Sequence, residues 1–349
     1  FPIAVHLSKP SHVDALKSVG VNTYLEVEHD GSPISTITSK GVNVIAQGEW
    51  TRAEIGDDPR VVAWTAGDEC DMGYCGGSNE REGLDLFSSH VNQLRSYNDG
   101  RFVFANFGNG VLRTYWMPTL MGNMVQLTDA ASVDKYAYTS PHVQDIIPGS
   151  PRWPGGATPK SAGAYGWLAD QLRSFWSSSQ PHPSWVFIES AMPLLSEDGA
   201  TTITPEQIEG AAWSAIIHEA RGLAYFQHNN GPACSFYSLV DCSQTRLDRI
   251  RAINAAIQSL APVINTQSYQ YNFANGTDTM LKTYSGSAYI FADIGLQQSP
   301  GTKTFRLPAG ITGTTVTVVG ENRTIPVVNG SFSDGFAAEY THHVYKVTL

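Results

Sequence analysis

The sequence predicts a (β/α)8 barrel followed by a small antiparallel β-sandwich. Short apolar runs and helix-like segments alternate eight times through the first three quarters of the chain. After position 262 the helical pattern stops and only short alternating runs remain. The 349 residues also suit a barrel of ~250 residues with one small additional domain. We therefore assign residues 1–262 to the barrel and residues 263–349 to the sandwich.

The first half of the predicted barrel contains four apolar runs of strand length. Runs of this kind are typical of parallel strands that are buried on both faces. A short helix is predicted at 12–18, with Gly20 ending it, and a longer one at 81–97, where apolar residues recur at helical spacing from Leu84 to Leu94. The four predicted strands are 3–7, 22–27, 42–47 and 61–66.

The second half of the predicted barrel repeats the pattern. Thr204, Pro205 and Gln207 form a strong helix start, with Thr as the N-cap, Pro at the first helical position and Gln three residues after the cap. That helix is predicted to end at Gly222. The helices after the third and fifth strands have no clear pattern. The remaining predicted elements are strands at 101–106, 133–139, 185–188 and 223–227, and helices at 162–177 and 246–260.

The last part of the chain shows short alternating runs separated by Gly, Asn and Pro. Runs at this spacing, with no helix between them, are typical of an antiparallel sandwich. The predicted strands are 269–273, 280–284, 288–292, 304–307, 314–319, 324–328 and 343–347.

The charge balance excludes some classes of partner. The chain has 22 Lys and Arg against 32 Asp and Glu, a formal net charge of −10. An acidic surface repels nucleic acids and anionic membranes at long range, so we expect neither as a partner. No apolar run approaches the ~20 residues of a membrane-spanning helix. Neutral substrates remain compatible with this charge, and we expect a monomer.

The four cysteines form two close pairs, Cys70 with Cys75 and Cys234 with Cys242. An even number at short spacing favours two local disulfides in an oxidising compartment. The alternative is a zinc site with four thiolates, but the combination of C-x4-C with C-x7-C departs from the usual C-x2-4-C spacing of zinc ribbons. A bridge from Cys70 would also brace the chain immediately after Glu69.

Other features of the sequence are compatible with secretion. Three glycosylation sequons begin at Asn275, Asn322 and Asn329, although such triplets are common by chance. The chain starts at Phe1 and enters a strand almost at once, as a mature chain does after removal of a signal peptide. We expect a secreted protein.

Two glutamates follow predicted strands directly. Glu69 follows the fourth strand, and Glu189 follows the seventh. In a β/α barrel the carboxyl ends of all strands open onto one face, where the loops form the active site. Two carboxyl groups that meet there can perform acid and base or nucleophilic chemistry on a glycosidic bond. For Glu69 alone, a helix cap or a loop salt bridge is an equally good explanation.

This arrangement resembles the large clan of retaining glycoside hydrolases on (β/α)8 barrels, clan A, which carry the acid/base on strand four and the nucleophile on strand seven. The resemblance implies that Glu69 is the acid/base and Glu189 the nucleophile, with no metal or organic cofactor. Many members have Asn before the acid/base, where it contacts the 2-hydroxyl of the sugar. This chain has Asp68, and the resemblance implies that Asp68 accepts a hydrogen bond from that hydroxyl. A strand-six tyrosine contacts the nucleophile in the clan. Of Tyr136 and Tyr138 we favour Tyr138, because it lies nearer the strand end.

An oligo- or polysaccharide substrate needs aromatic rings for stacking and polar groups for its hydroxyls. Trp50, Trp116 and Trp153 lie in predicted loops, where a large aromatic side chain is harder to explain as core. Polar residues at other strand ends are candidates for hydroxyl binding, although solvated loop residues explain them almost as well. They are Glu28, Asn106 and Gln227.

Three other functions fit parts of the sequence. An inverting glycosidase uses the same two carboxyl groups at a wider separation. A carbohydrate-binding barrel without activity has the same fold. A metal-dependent barrel hydrolase is a weaker candidate, because the first strand has only His6 where such sites often use a His-x-His pair.

Overall fold

Eight parallel strands form a closed barrel in which each strand pairs with the next and the first pairs with the eighth. The computed structural model describes residues 1–113, 119–141, 143, 153, 159–177, 180–193 and 198–349. The closed ring of eight strands confirms the predicted barrel. Its strands are β1 (Ile3–Ser8), β2 (Thr23–Val27), β3 (Asn43–Ala46), β4 (Val61–Asp68), β5 (Phe102–Phe107), β6 (Ala130–Val133), β7 (Ser184–Glu189) and β8 (Gly222–Phe226).

Helices follow the strands and cover the outside of the barrel. The capping box predicted at Thr204 is present, with its side chain accepting from the Gln207 amide. The helices after β3 and β5 have only four and five residues, too few for a helical period to show in the sequence. The helices are α1 (Val13–Ser18), α2 (Ser35–Thr38), α3 (Arg52–Ile55), α4 (Glu80–Ser96), α5 (Met121–Val125), α6 (Gly163–Arg173), α7 (Pro205–Ile217) and α8 (Gln244–Ile264).

The sixth strand lies earlier than predicted. It ends at Val133, and residues 137–139 form a turn closed by a hydrogen bond from the Ser140 amide to the Tyr136 carbonyl. The alternation of polar and aromatic residues in this segment resembles that of a strand, but β5 pairs with residues 130–133 instead. The tyrosines at 136 and 138 therefore lie in a loop at the barrel mouth.

Side chains inside the barrel form a small apolar core of their own. Trp185 and Phe187 supply its bulk, and small residues such as Ala63 face them. Gly222 is needed here, because a Cβ at this position would lie 2.4 Å from the Trp185 ring. A second, larger core packs the outer faces of the strands against the helices. These side chains fill the barrel interior. A site in such a barrel therefore lies at the carboxyl ends of the strands.

The C-terminal strands form two antiparallel sheets that share a core. A six-stranded sheet has the order β14-β13-β16-β11-β10-β9, and β12 pairs with β15. Phe305 and Phe332 stack at 5.0 Å, and both rings contact Tyr345 of the larger sheet. The strands are β9 (Ser268–Tyr269), β10 (Thr277–Tyr284), β11 (Ser287–Ile294), β12 (Gly301–Arg306), β13 (Thr315–Val318), β14 (Arg323–Pro326), β15 (Ser331–Phe336) and β16 (His342–Thr348).

Two strands of this domain differ from the prediction. The strand predicted at 269–273 is reduced to the short β9, and β15 is absent from the prediction because Gly, Ser and Asp interrupt its apolar pattern.

Helix α8 of the barrel is longer than predicted. It continues through Pro262 and ends at Ile264. Of the described helices, none is long and apolar enough to cross a membrane.

Candidate active site

Glu69 lies directly after β4 in a left-handed backbone conformation, with φ 47° and ψ 40°. Residues with a Cβ adopt this conformation at a cost of about 1–3 kcal/mol, and such positions cluster at functional sites. Its amide donates to the Asn106 carbonyl at 3.0 Å, and its carbonyl accepts from the Met72 amide at 2.8 Å. Gly108 makes room for the carboxyl group, because a Cβ there would lie 2.6 Å from Glu69 Oε1. The backbone thus holds Glu69 at the mouth of the barrel.

Both predicted disulfides are present. Cys70 bonds to Cys75 immediately after Glu69, and Cys234 bonds to Cys242 in the loop after β8. The first bridge packs against Gly67, where a Cβ would lie 2.3 Å from the Cys70 sulfur. It therefore fixes the loop that carries Glu69.

Asp71 anchors the same loop to the segment that follows β5. Its side chain is fully buried, and its carboxylate accepts hydrogen bonds from the amides of Gly108 at 3.0 Å and Gly110 at 2.6 Å. Burial raises the pKa of Asp71 to about 6, against the effect of these bonds. Asp71 thus positions Gly108, which contacts the Glu69 carboxyl group.

Asp68 and Asn106 lie next to each other at the ends of β4 and β5. Asn106 donates from Nδ2 to Asp68 Oδ1 at 2.8 Å and accepts from the Ser132 hydroxyl at 2.6 Å. Asn106 is buried, whereas Asp68 is exposed. Asp68 is therefore accessible to a ligand, and Asn106 orients it.

Glu69 shares its surroundings with a second carboxyl group, that of Asp134 after β6. Asp134 is buried and Glu69 is partly exposed, and the two carboxyl groups lie close enough for their charges to interact. Burial, and next the charge of Asp68, raise the pKa of Glu69 to about 7. Burial and the charge of Glu69 raise the pKa of Asp134 well above its ordinary value. A carboxyl group that stays protonated near neutrality can act as a general acid.

Glu189 ends β7 and is 0% exposed. Its Oε2 accepts a 2.5 Å hydrogen bond from the Tyr165 hydroxyl, and its Oε1 accepts one of 3.0 Å from Thr139. Burial raises the pKa of Glu189, while both hydroxyl donors oppose this by stabilising the carboxylate. Two donors therefore fix the orientation of the side chain.

The interpretation of Tyr138 as the donor to Glu189 is wrong. The Tyr138 hydroxyl donates to Glu339 of the sandwich, at 2.8 and 2.9 Å from its two carboxylate oxygens. Tyr165 on α6 is the donor instead, and its ring stacks on that of Tyr138. Tyr138 is turned away because residues 137–139 form a turn rather than a strand.

Tyr136, the other tyrosine of this segment, faces the carboxyl groups. Its hydroxyl donates to Asp134 at 3.4 Å, and its ring contacts Phe226 at 5.2 Å. Burial raises its pKa well above 10, followed by the charges of Asp134, Glu69, Asp68 and Glu189. Tyr136 therefore contacts Asp134 and lies near the other three carboxyl groups.

His6 on β1 and Glu26 on β2 form a buried pair on the neighbouring side of the mouth. His6 Nε2 donates to Glu26 Oε2 at 3.3 Å, and the imidazole contacts Phe187 and Phe226. Burial lowers the pKa of His6, but the bond to Glu26 and the surrounding carboxylates outweigh it, so the pKa is raised. His6 Nδ1 is buried without a hydrogen-bond partner among the described residues.

Two further predicted substrate-binding residues are buried, and a third lies outside the described part of the chain. Trp50 is only 4% exposed, donates to the Val27 carbonyl, and is stacked on His29 at 3.9 Å, so it offers no open ring face. Gln227 is fully buried and donates to the Leu7 carbonyl at 3.0 Å. Trp116 lies outside the described residues.

Glu28 belongs to a group at the ends of β2 and β8. Its carboxylate accepts from His228 at 3.2 Å and from the Tyr237 hydroxyl at 2.7 Å. Phe236 stacks on His228 at 4.4 Å and is 47% exposed. Phe236 therefore offers an accessible aromatic ring at these strand ends, whereas Trp50, predicted to do so, is buried.

Sequence reasoning missed Asp134, Thr139 and Tyr165. Asp134 follows β6 as Glu69 follows β4, and this position is a signal in the sequence, but the strand predicted at 133–139 begins too late to show it. Tyr165 has no local signal, since it lies on a helix rich in aromatic residues and reaches Glu189 only through the tertiary fold.

Comparison with known proteins supports the architecture. The sequence matches no family model and no curated protein. Among solved structures, it resembles one described as a glycoside hydrolase, with a TM-score of 0.60, 10% identity, and coverage of 100% of this chain and 92% of that chain. It also resembles a glycoside hydrolase family 5 protein from Bacteroides vulgatus, with a TM-score of 0.59, 11% identity, and 100% and 89% coverage.

A GH30 endoxylanase from Clostridium papyrosolvens is similar over 100% of this chain and 96% of its own, with a TM-score of 0.52 and 11% identity. The chain has a glycoside-hydrolase-like barrel fold. Identities of this size establish the fold alone, and the chemistry depends on the residues of the site.

Proposed function

We propose that this protein is a glycoside hydrolase that cleaves O-glycosidic bonds of an oligo- or polysaccharide. The observation that carries the proposal is the contrast between two glutamates at the carboxyl ends of β4 and β7. Glu69 has a pKa of about 7 and so retains a proton near neutrality. Burial raises the pKa of Glu189 as well, but two hydroxyl donors oppose this rise and hold the carboxylate in place. One group is suited to give a proton and the other to attack.

The proposed reaction is a double displacement. Glu69 protonates the leaving oxygen while Glu189 attacks the anomeric carbon, which forms a covalent glycosyl-enzyme. Glu69, now ionised, then removes a proton from water, and the water displaces Glu189 with overall retention. Asp68 raises the proton affinity of Glu69 and is placed to accept a hydrogen bond from a sugar hydroxyl. His6 Nδ1 and the exposed ring of Phe236 are further candidates for substrate contact.

This mechanism requires that the anomeric carbon of the substrate reach the Glu189 carboxylate. Because its side chain has no exposed surface, a sugar must displace neighbouring groups before the attack. Tyr136 is the candidate for this movement, since its ring contacts Phe226 beside Glu189 and it is only partly buried. We infer that Tyr136 shifts when substrate binds.

Two other functions use the same residues. Inversion would use the same pair with a water between the carboxyl groups. The complete burial of Glu189, with both oxygens hydrogen-bonded, favours a carbohydrate-binding barrel in which Glu189 has a structural role. The two disulfides support an extracytoplasmic location for either function.

A panel of soluble polysaccharides and aryl glycosides tests the proposal. Reducing-end release identifies a substrate, and proton NMR of the first product reports its anomeric form. We expect hydrolysis with retention. Initial release of the opposite anomer would establish inversion, and binding without hydrolysis of any panel member would favour the non-catalytic barrel.

A further inference from the structure

A second polar cluster lies where the barrel meets the sandwich, away from the strand ends that carry Glu69 and Glu189. His218 follows α7, Asp278 lies on β10 and Asp293 on β11. One potential ligand atom from each residue lies within 4.8 Å of the others. An imidazole nitrogen and carboxylate oxygens in such a group match the ligand types of Zn²⁺ and related ions.

The two aspartates face each other in an unfavourable arrangement. Asp278 and Asp293 are directly opposed in the β10–β11 ladder, and like charges at opposed positions destabilise a sheet. Asp293 is 1% exposed, and neither of its carboxylate oxygens has a hydrogen-bond partner among the described residues. A buried carboxylate without a partner is costly unless it is neutralised or binds a cation.

His218 is oriented as a metal-binding histidine would be. Its Nδ1 lies 2.7 Å from Asp170 Oδ2, so an Nδ1 proton is held by that carboxylate. The other nitrogen, Nε2, points into the cluster, 3.0 Å from Asp278 Oδ2. A carboxylate on the far nitrogen fixes the ring and raises the basicity of the nitrogen that binds a metal.

Small residues close the cluster on two sides. A Cβ at Gly166 would lie 2.2 Å from the His218 ring, and a Cβ at Gly295 would lie 2.6 Å from Asp278 Oδ2. The Ser214 hydroxyl lies on the same side, since a Cβ at Gly166 would lie 2.6 Å from its oxygen, and this oxygen is also buried without a hydrogen-bond partner among the described residues. It offers a fourth oxygen to an ion bound by the other three residues.

We propose that His218, Asp278 and Asp293 bind one divalent transition-metal ion, Zn²⁺ in the first instance, that links the barrel to the sandwich. Zn²⁺ accepts a mixed set of one imidazole and carboxylate oxygens, whereas Mg²⁺ and Ca²⁺ prefer oxygen ligands alone. His218 lies directly after α7 and the two aspartates lie on β10 and β11, so the ion stabilises the junction of the two domains. It neutralises the opposed aspartates, and Asp170 keeps the imidazole in the correct orientation.

The full-length, untagged protein is first dialysed against a chelator and then titrated with ZnCl₂ by calorimetry. We expect one Zn²⁺ per chain and an increase in Tm of several degrees, with a smaller increase for MgCl₂. Asp293→Asn should abolish both effects. Asp14→Asn, an exposed carboxylate that pairs with Lys40, is the matched control and should bind Zn²⁺ as the wild type does.

Absence of stoichiometric Zn²⁺ binding in the wild type, or unchanged binding in Asp293→Asn, would overturn the proposal and leave the cluster as an ion pair with a protonated carboxyl group. If Asp293→Asn does not fold, X-ray absorption of the wild-type protein with one bound Zn²⁺ decides the question. One imidazole with oxygen ligands supports the site, whereas several imidazoles or a sulfur ligand place the ion elsewhere.

Discussion

The Tyr165 hydroxyl donates a 2.5 Å hydrogen bond to Glu189, from helix α6 to the end of β7. The same hydroxyl oxygen accepts from the Tyr138 amide at 3.2 Å, and the Tyr138 side chain in turn donates to Glu339 of the sandwich. The proposed nucleophile is thus connected through two tyrosines to the C-terminal domain. In this chain of contacts, Tyr165 acts on Glu189 and Tyr138 joins the two domains.

Tyr165→Phe removes the donor while keeping the ring. Hydrogen bonds to charged groups contribute about 1.5–3 kcal/mol, so we expect kcat to fall by roughly 10- to 150-fold with little change in KM. Tyr138→Phe is the matched control, because its hydroxyl contacts Glu339 instead. It should lower Tm and leave kcat close to that of the wild type. Equal losses of kcat in the two variants would contradict this division of roles.

Glu189→Gln should abolish turnover and leave the fold intact. The amide keeps the shape of the side chain, but it cannot form a glycosyl-enzyme. Turnover is measured on the substrate that the polysaccharide panel identifies, and circular dichroism checks the fold. Near-normal turnover in this variant would exclude Glu189 as the nucleophile.

Glu69→Ala should distinguish substrates by their leaving groups. An aryl glycoside with an acidic phenol needs little protonation, so its first step should be largely spared, whereas hydrolysis of the natural glycoside should be lost. Added azide, a small nucleophile that needs no base, should accelerate the second step. The ratio of the two substrates' kcat/KM values is the measurement. If both substrates lose activity equally, Glu69 is not the acid.

The pH dependence of kcat/KM should report the protonation of Glu69. The acid is active below its pKa, so kcat/KM should fall as the pH rises through about 7. Asp68→Asn removes the charge that helps to raise this pKa, and the descending limb should therefore move to lower pH. A limb that does not move in Asp68→Asn would show that Asp68 does not influence the titrating group.

Asp71→Ala should destabilise the loop that carries Glu69. It leaves the buried amides of Gly108 and Gly110 without their acceptor, at about 1–3 kcal/mol for each unsatisfied group. Urea unfolding measures the loss. Asp248→Ala on the exposed face of α8 is a suitable control, since its carboxylate contacts only Gln244 and Arg251 among the described residues. A loss no larger than that of the control would contradict the anchoring role.

The raised pKa of Asp71 also gives a stability prediction with a definite sign. A carboxyl group whose pKa is higher in the folded protein than in the unfolded chain favours folding when it is protonated. The contribution of Asp71 is therefore complete below pH 4 and is lost as the pH rises through about 6. In Asp71→Asn, the difference in free energy of unfolding between pH 5 and pH 8 should be smaller than in the wild type.

Local patterns predicted the barrel well and its side-chain contacts poorly. The alternation of apolar runs with helices, and the cap at Thr204, follow from neighbouring residues and are readable in the sequence. The sixth strand, predicted at 133–139, ends at Val133, because the polar and aromatic residues of the following turn alternate as they do in a strand. Contacts such as Tyr165 with Glu189 join distant parts of the chain, and only the closed barrel brings them together. The burial of Trp50 under His29 has the same cause.

The central claim is that Glu189 attacks the sugar and forms a covalent intermediate. The most direct measurement is mass spectrometry of the protein after incubation with an activated 2-deoxy-2-fluoro glycoside of the sugar that the panel identifies. We predict a mass increase of one glycosyl group, located on the peptide that contains Glu189. A label on Asp134 or another carboxylate, or hydrolysis with inversion and no label, would contradict the claim.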